Sequence, residues 1–207
     1  TVESPGDGAT DAVVLLHPTN LDLSLILGSD DNIGLAVYNF DGTQRQLLEV
    51  GSVKYIDVRY NFPLGARRIS LISAAMEDQP LVDLFTVDLD TGEVEPIGAV
   101  ETGVAVASAC LYRSPLTDTY YVFASDDDGY VEQYALDGAE GEITSRLVRE
   151  FSVGSETEGC TVDDELRRFY ITEQTVGLWR YGAEPENGNT RYQVDLPEPR
   201  GKIRTEL

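Results

Sequence analysis

Apolar residues alternate with polar ones in short runs along the whole chain, and almost nowhere do they return with a helical spacing. Leu35-Ala-Val-Tyr-Asn-Phe-Asp-Gly42 and Val131-Glu-Gln-Tyr-Ala-Leu-Asp-Gly138 each read as a strand with one covered face, closed by an Asp-Gly turn. Leu84-Phe-Thr-Val-Asp-Leu-Asp-Thr-Gly92 and Val176-Gly-Leu-Trp-Arg-Tyr-Gly182 repeat the pattern. Aligned on Tyr38, Val87, Tyr134 and Trp179, the four copies lie 49, 47 and 45 residues apart. A strand-borne period near 45 residues marks the blade of a β-propeller, whose function gathers around a channel lined by the innermost strand of each blade.

Each repeat divides into four strand-like pieces. The first gives Val13–Leu16, Leu25–Gly28, Gly34–Phe40 and Arg45–Val50; the second, Tyr55–Tyr60, Ile69–Ala75, Val82–Leu89 and Val94–Gly98. The third gives Ala109–Tyr112, Tyr120–Ala124, Tyr130–Leu136 and Arg146–Phe151; the fourth, Cys160–Val162, Phe169–Thr172, Val176–Tyr181 and Thr190–Val194. The expected class is therefore all-β, with blades near 11–52, 53–100, 101–153 and 154–196, a loose segment at 1–10 and a tail at 197–207. Four blades are at the small extreme for a closed ring, and an open array leaves apolar blade faces uncovered. The expectation is an incomplete propeller whose missing blades come from a continuing chain or a partner.

Length and composition narrow the function. A chain of 207 residues with 42% hydrophobic content can build one β domain with a core. No run of 18 apolar residues occurs, so no membrane-spanning helix is expected. No leader is legible and the chain starts at Thr1, which reads as a mature form or an excised piece, secreted or periplasmic. A net charge of −22 repels nucleic acid and anionic membrane, and neither is expected as a partner. Such acidity serves either as a solubilising surface or to gather hard cations such as Ca²⁺. Cys110 and Cys160 hold matching positions in successive repeats; buried free thiols are the expected state, with a disulfide between them the alternative. The lone histidine, His17, stands before Pro18 in a turn, which argues against a thiol protease or a cysteine–histidine zinc site.

Several segments together resemble the β-propeller, calcium-dependent alkaline phytases. Ile56-Asp-Val-Arg-Tyr-Asn-Phe-Pro-Leu64 is similar to the family stretch NNVDLRYDFPL, and Thr157-Glu-Gly-Cys-Thr-Val-Asp-Asp-Glu165 to TEGCVADDE. Leu16-His-Pro18, Glu132-Gln-Tyr134, Val148-Arg-Glu-Phe151 and Phe169-Tyr-Ile-Thr-Glu173 match as well. The resemblance covers about residues 10–185, the first four of the family's six blades. It implies hydrolysis of phytate (inositol hexakisphosphate) with calcium, the ligand being phytate or its calcium complex. Clustered calcium ions would invert the field of an acidic face, bind phosphates and activate water.

Residue by residue, the resemblance carries a calcium-bridging, catalytic role to Glu158, and the motif aspartate and arginine to Asp57 and Arg59. It carries further metal-ligand roles to Asp11, Asp57 and Glu173. The competing reading of Asp57 and Arg59 is an ion pair that keeps an inner strand in register. The departures weigh on activity: the family's asparagine pair is Lys54-Tyr55 here, and its basic phosphate ligands fall on Asp30, Asp31 and Asn32, on Glu77 and Asp78, and on Asp127. Its active-site tyrosine falls on Ala107. The resemblance thus implies a phytase-like domain that is weak or inactive alone. Its alternative is a calcium- or phytate-binding helper beside a catalytic propeller in the same polypeptide, as in the family's tandem members.

Overall fold

The computed structural model describes residues 8–204; the expected loose segment lies outside these for residues 1–7 and the expected tail for residues 205–207. Sixteen strands fill the described residues, in four antiparallel sheets of four. The first blade is β1 (Ala9–Leu15), β2 (Leu25–Asp30), β3 (Gly34–Asn39) and β4 (Gln44–Glu49). The second is β5 (Val53–Leu64), β6 (Arg67–Met76), β7 (Leu81–Asp88) and β8 (Glu93–Glu101). The third is β9 (Ser108–Arg113), β10 (Tyr120–Ser125), β11 (Tyr130–Asp137) and β12 (Thr144–Ser152). The fourth is β13 (Thr157–Asp163), β14 (Arg168–Glu173), β15 (Gly177–Gly182) and β16 (Arg191–Asp195). In every sheet the strands pair in chain order, so each blade is a meander, and among the described residues helical structure is confined to short 3₁₀ turns at Leu21–Leu23 and Pro185–Asn187. The all-β, four-blade propeller expected from the repeats is what the chain forms.

The repeat carries a structural signature that corrects its alignment. In each blade the third strand slips register against the fourth at one place: before Tyr38, before Phe85, before Tyr134 and before Trp179. The residue after the slip is aromatic all four times, so the second blade's equivalent of Tyr38 is Phe85, not Val87. The apolar run Val82–Val87 offered several alternating frames, and only the bulge, which strengthens the local twist, selects among them.

Blades stack through three apolar interfaces. Leu15, Leu27, Leu35 and Val37 of the first blade meet Ile56, Ile72, Phe85 and Val94 of the second. Phe62, Leu71 and Leu84 then meet Leu111, Val122 and Tyr134 of the third. The last interface is aromatic: Phe123 stacks on Phe169 with ring centres 4.2 Å apart, and Phe151 leans on Tyr181 at 4.8 Å. The inner strands β1, β5, β9 and β13 pack in that order around the hub, and no comparable packing returns from β13 to β1. The array is an arc whose outermost sheets keep a free face; Val14 and Leu16 on one end and Tyr192 and Val194 on the other stay about half exposed.

Neighbouring inner strands are also tied at one level of the hub. Asp11 accepts the backbone N–H of Ile56 at 3.1 Å, and Asp57 accepts that of Leu111 at 2.9 Å. At the third junction Cys110 and Cys160 form a disulfide, which corrects the expectation of free thiols. The reason is geometric: the two face each other from adjacent inner strands with Cα atoms 5.9 Å apart, a disulfide spacing that position within separate repeats does not reveal.

Candidate functional site

The hub is lined by residues of the four inner strands, and side chains of the second blade cross it to reach the fourth. Arg59 makes the deeper crossing. Its Nε donates to Asp164 at 2.9 Å and a terminal nitrogen to the Val162 carbonyl at 3.2 Å, while another pairs with Asp57 at 2.8 Å. Two carboxylates around one guanidinium outweigh the cost of burial and hold Arg59 above its ordinary pKa. Burial pushes the Asp57 carboxyl up despite the pull of Arg59 and the bonds from Leu111 and Val58. Asp57 and Arg59 therefore meet each other, and both are occupied in holding three blades together.

The shallower crossing surrounds Glu158, at the start of β13. One of its oxygens accepts the Tyr55 hydroxyl at 3.3 Å and faces the Lys54 ammonium at 4.0 Å; the other accepts the Gln174 amide at 3.4 Å. Lys54 also lies 3.9 Å from Glu77, whose second oxygen accepts the Ser52 hydroxyl at 2.7 Å. Burial, and then the charge of Glu158, push the Tyr55 phenol up to about 12, so it stays protonated and donates to the carboxylate rather than serving as a base.

The other candidates are held elsewhere. Both Asp11 oxygens accept backbone N–H groups, from Ile56 and Ala12. Glu173 is buried, with one oxygen taking the Trp179 indole N–H at 2.6 Å and Arg191 at 3.2 Å, and the other taking the Ser155 hydroxyl at 3.0 Å. In the run Asp126-Asp-Asp128, Asp126 accepts the N–H groups of Asp128 and Tyr130 and so closes a turn. His17 is likewise structural: Nδ1 accepts two backbone N–H groups of the following turn, and Nε2 contacts Asp90 at 3.2 Å. Among the described residues no three acidic, histidine or cysteine side chains converge as a metal site would require.

A family model described as Phytase matches residues 1–202 of the chain. The chain belongs to the phytase family. A 3-phytase of Bacillus subtilis (strain 168) is 32% identical over 202 residues, covering 94% of this chain and 53% of that protein. The chain thus spans about half the length of this curated relative. Two solved structures share its fold alone. An exo-β-1,3-galactanase from Phanerochaete chrysosporium superposes with a TM-score of 0.64 at 11% identity, over 91% of this chain and 50% of its own. Saccharomyces cerevisiae Sqt1 gives 0.56 at 9% identity, over 88% and 48%.

Within this phytase chain several of the family-like segments turn out to be inter-blade fastenings. Glu132 instead pins the segment leading into its own blade, accepting the Gly103 N–H at 2.8 Å and the Tyr134 hydroxyl at 2.7 Å, and a Cβ at Gly103 would stand 2.5 Å from that carboxylate. Gln133 reaches the Ala183 carbonyl at 2.8 Å. Arg149 inserts beneath the fourth blade, donating to the carbonyls of Gly182 and Gly188 while lying over the Phe151 ring at 4.4 Å. Sequence reasoning missed Asp164 as the partner of Arg59 and Lys54 as the partner of Glu158 and Glu77. The Asp-Asp-Glu run after Cys160 was a signal for the first; the second needed the crossing of the hub, which no spacing reveals.

Proposed function

We propose that this chain is a phytase-like propeller segment whose hub handles phosphomonoesters of the phytate type and hydrolyses them weakly or not at all by itself. The observation that carries the reading is the Lys54 ammonium bracketed by Glu77 and Glu158, where a catalytic centre for polyanions needs surplus positive charge. The three groups sum to a net negative charge, so a phosphate entering the hub meets repulsion. Calcium, the cofactor the family resemblance implies, would have to be held by Glu158 with Asp11, Asp57 and Glu173. Those donors do not suit it, because hydrogen bonds already engage both oxygens of Asp11, Asp57 and Glu173 and an ammonium stands beside Glu158. Calcium-dependent turnover is thus an expectation for a fuller propeller rather than for these residues. The inter-blade disulfide supports a secreted or periplasmic setting, where such bonds persist.

Phosphate release from calcium phytate at neutral to alkaline pH tests the reading, with the Bacillus 3-phytase as reference. Turnover at least about a hundredfold lower is expected, the usual scale for losing one charge-stabilising donor. Comparable turnover that Glu158→Ala abolishes would overturn it. A second reading, a helper that binds beside a catalytic propeller, is favoured by the free apolar faces at both ends of the arc. It predicts that adding this chain alters the phytate turnover of a catalytic propeller that it co-elutes with.

A further inference from the structure

We infer that Lys54 is a resident cation standing in for a divalent ion between Glu77 and Glu158, so that a side chain of the protein itself closes this hub to metal. The two carboxylates come from separate blades, Glu77 from the turn after β6 and Glu158 from β13, and the Lys54 ammonium is the positive group that lies against both, at 3.9 and 4.0 Å. All three side chains are between a quarter and a third exposed, which leaves their charges only partly screened. Each carboxylate has a further neutral donor, Ser52 on Glu77 and Tyr55 with Gln174 on Glu158, so the ammonium completes the set.

The choice of lysine fits the role. It is one of only two in a chain with fifteen basic residues, and a compact ammonium on a flexible stem suits an ion-sized gap better than a guanidinium fork. Calcium takes six to eight oxygens around it. Here it would first have to expel a tethered charge of its own sign. The inference concerns metal occupancy and does not depend on phytate being the ligand.

Terbium ion tests it, as a calcium-sized probe whose emission is excited through a neighbouring tyrosine; Tyr55 touches Glu158. The full chain is titrated in excess calcium-free buffer, with melting curves run on each variant. The wild type should show only weak surface binding that Glu158→Gln leaves unchanged. Lys54→Gln should add one site at least about tenfold tighter than that background, as expected when a like charge is removed from a partly buried centre. Lys54→Gln/Glu158→Gln should lose the added site, and Lys54→Arg should resemble the wild type. Tight wild-type binding that Glu158→Gln removes would overturn the inference. So would a folded Lys54→Gln protein that gains nothing. If Lys54→Gln does not fold, the wild type against Glu158→Gln decides alone.

Discussion

Asp57 on the inner strand of the second blade accepts the backbone N–H of Leu111 on the inner strand of the third, 2.9 Å away. Its other oxygen holds Arg59 at 2.8 Å, and Arg59 in turn reaches Asp164 in the fourth. One carboxylate therefore fixes the relative placement of three sheets. Asp57→Ala should cost about 2–4 kcal/mol in urea denaturation, since it strips a largely buried guanidinium of a partner and leaves the Leu111 amide unmet. Asp57→Asn, which keeps an acceptor, should cost about half as much. A loss below about 0.5 kcal/mol for the alanine variant would show that the carboxylate is not a structural tie.

The Cys110–Cys160 bond closes a loop of 50 residues between the last two inner strands. Loop-closure entropy assigns such a crosslink roughly 4 kcal/mol. Replacing both cysteines by serine should lower the urea midpoint accordingly, and reductant should do the same to the wild type while leaving the variant unmoved.

Burial, with Glu158 beside one and Glu132 beside the other, pushes the Tyr55 and Tyr134 phenols up to about 12. Raised folded-state values favour the protonated form. The stability they contribute is complete below pH 10, where unfolded tyrosine is still neutral, and is lost as pH climbs from 10 through 12. Ultraviolet titration should find a tyrosine fraction that ionises late and together with unfolding. Tyr55→Phe should diminish that fraction. Ionisation of every tyrosine near pH 10 in folded protein would contradict the burial of these phenols.

Trp179 is the only tryptophan, and its indole N–H ends on Glu173 at 2.6 Å with Arg191 lying 3.9 Å over the ring. Its fluorescence therefore reports on Glu173 directly. Glu173→Gln should shift the emission and destabilise the protein by about 1–3 kcal/mol, because Arg191 loses its charged partner. Calcium up to millimolar levels should leave the wild-type emission unchanged; a saturable change would mean that Glu173 gives up these bonds to a metal.

The fold was legible because a propeller writes itself as a period: alternating strands and Asp-Gly turns recur at blade length, and all sixteen strands fall on runs that the alternation marks. Where the text failed, several frames fitted equally well. Val82–Val87 accepts either Val87 or Phe85 as the marked position until the bulge chooses. The cysteines looked like ordinary buried thiols because sequence gives their place in each blade but not which way neighbouring inner strands face. The candidate site was legible residue by residue and not as a whole. Glu158, Asp57 and Arg59 all line the hub, yet what each touches depends on side chains crossing from the second blade to the fourth. Asp11 and Glu173 read as ligands because a carboxylate's hydrogen-bond partners leave no trace in a motif.

An arc, unlike a ring, has two ends, and here they are fastened unequally. The fourth blade is riveted by a covalent bond and by Arg59 reaching across to it, whereas the first is held without a crosslink, by its apolar interface and by hydrogen bonds such as Ile56 N–H to Asp11, Arg45 to the Thr91 carbonyl and the reciprocal pair between Gln46 and Val94. Thermal unravelling should then travel in one direction, peeling the first sheet away while the other three hold. In amide exchange, protection would rise blade by blade from Ala9 toward the stapled end.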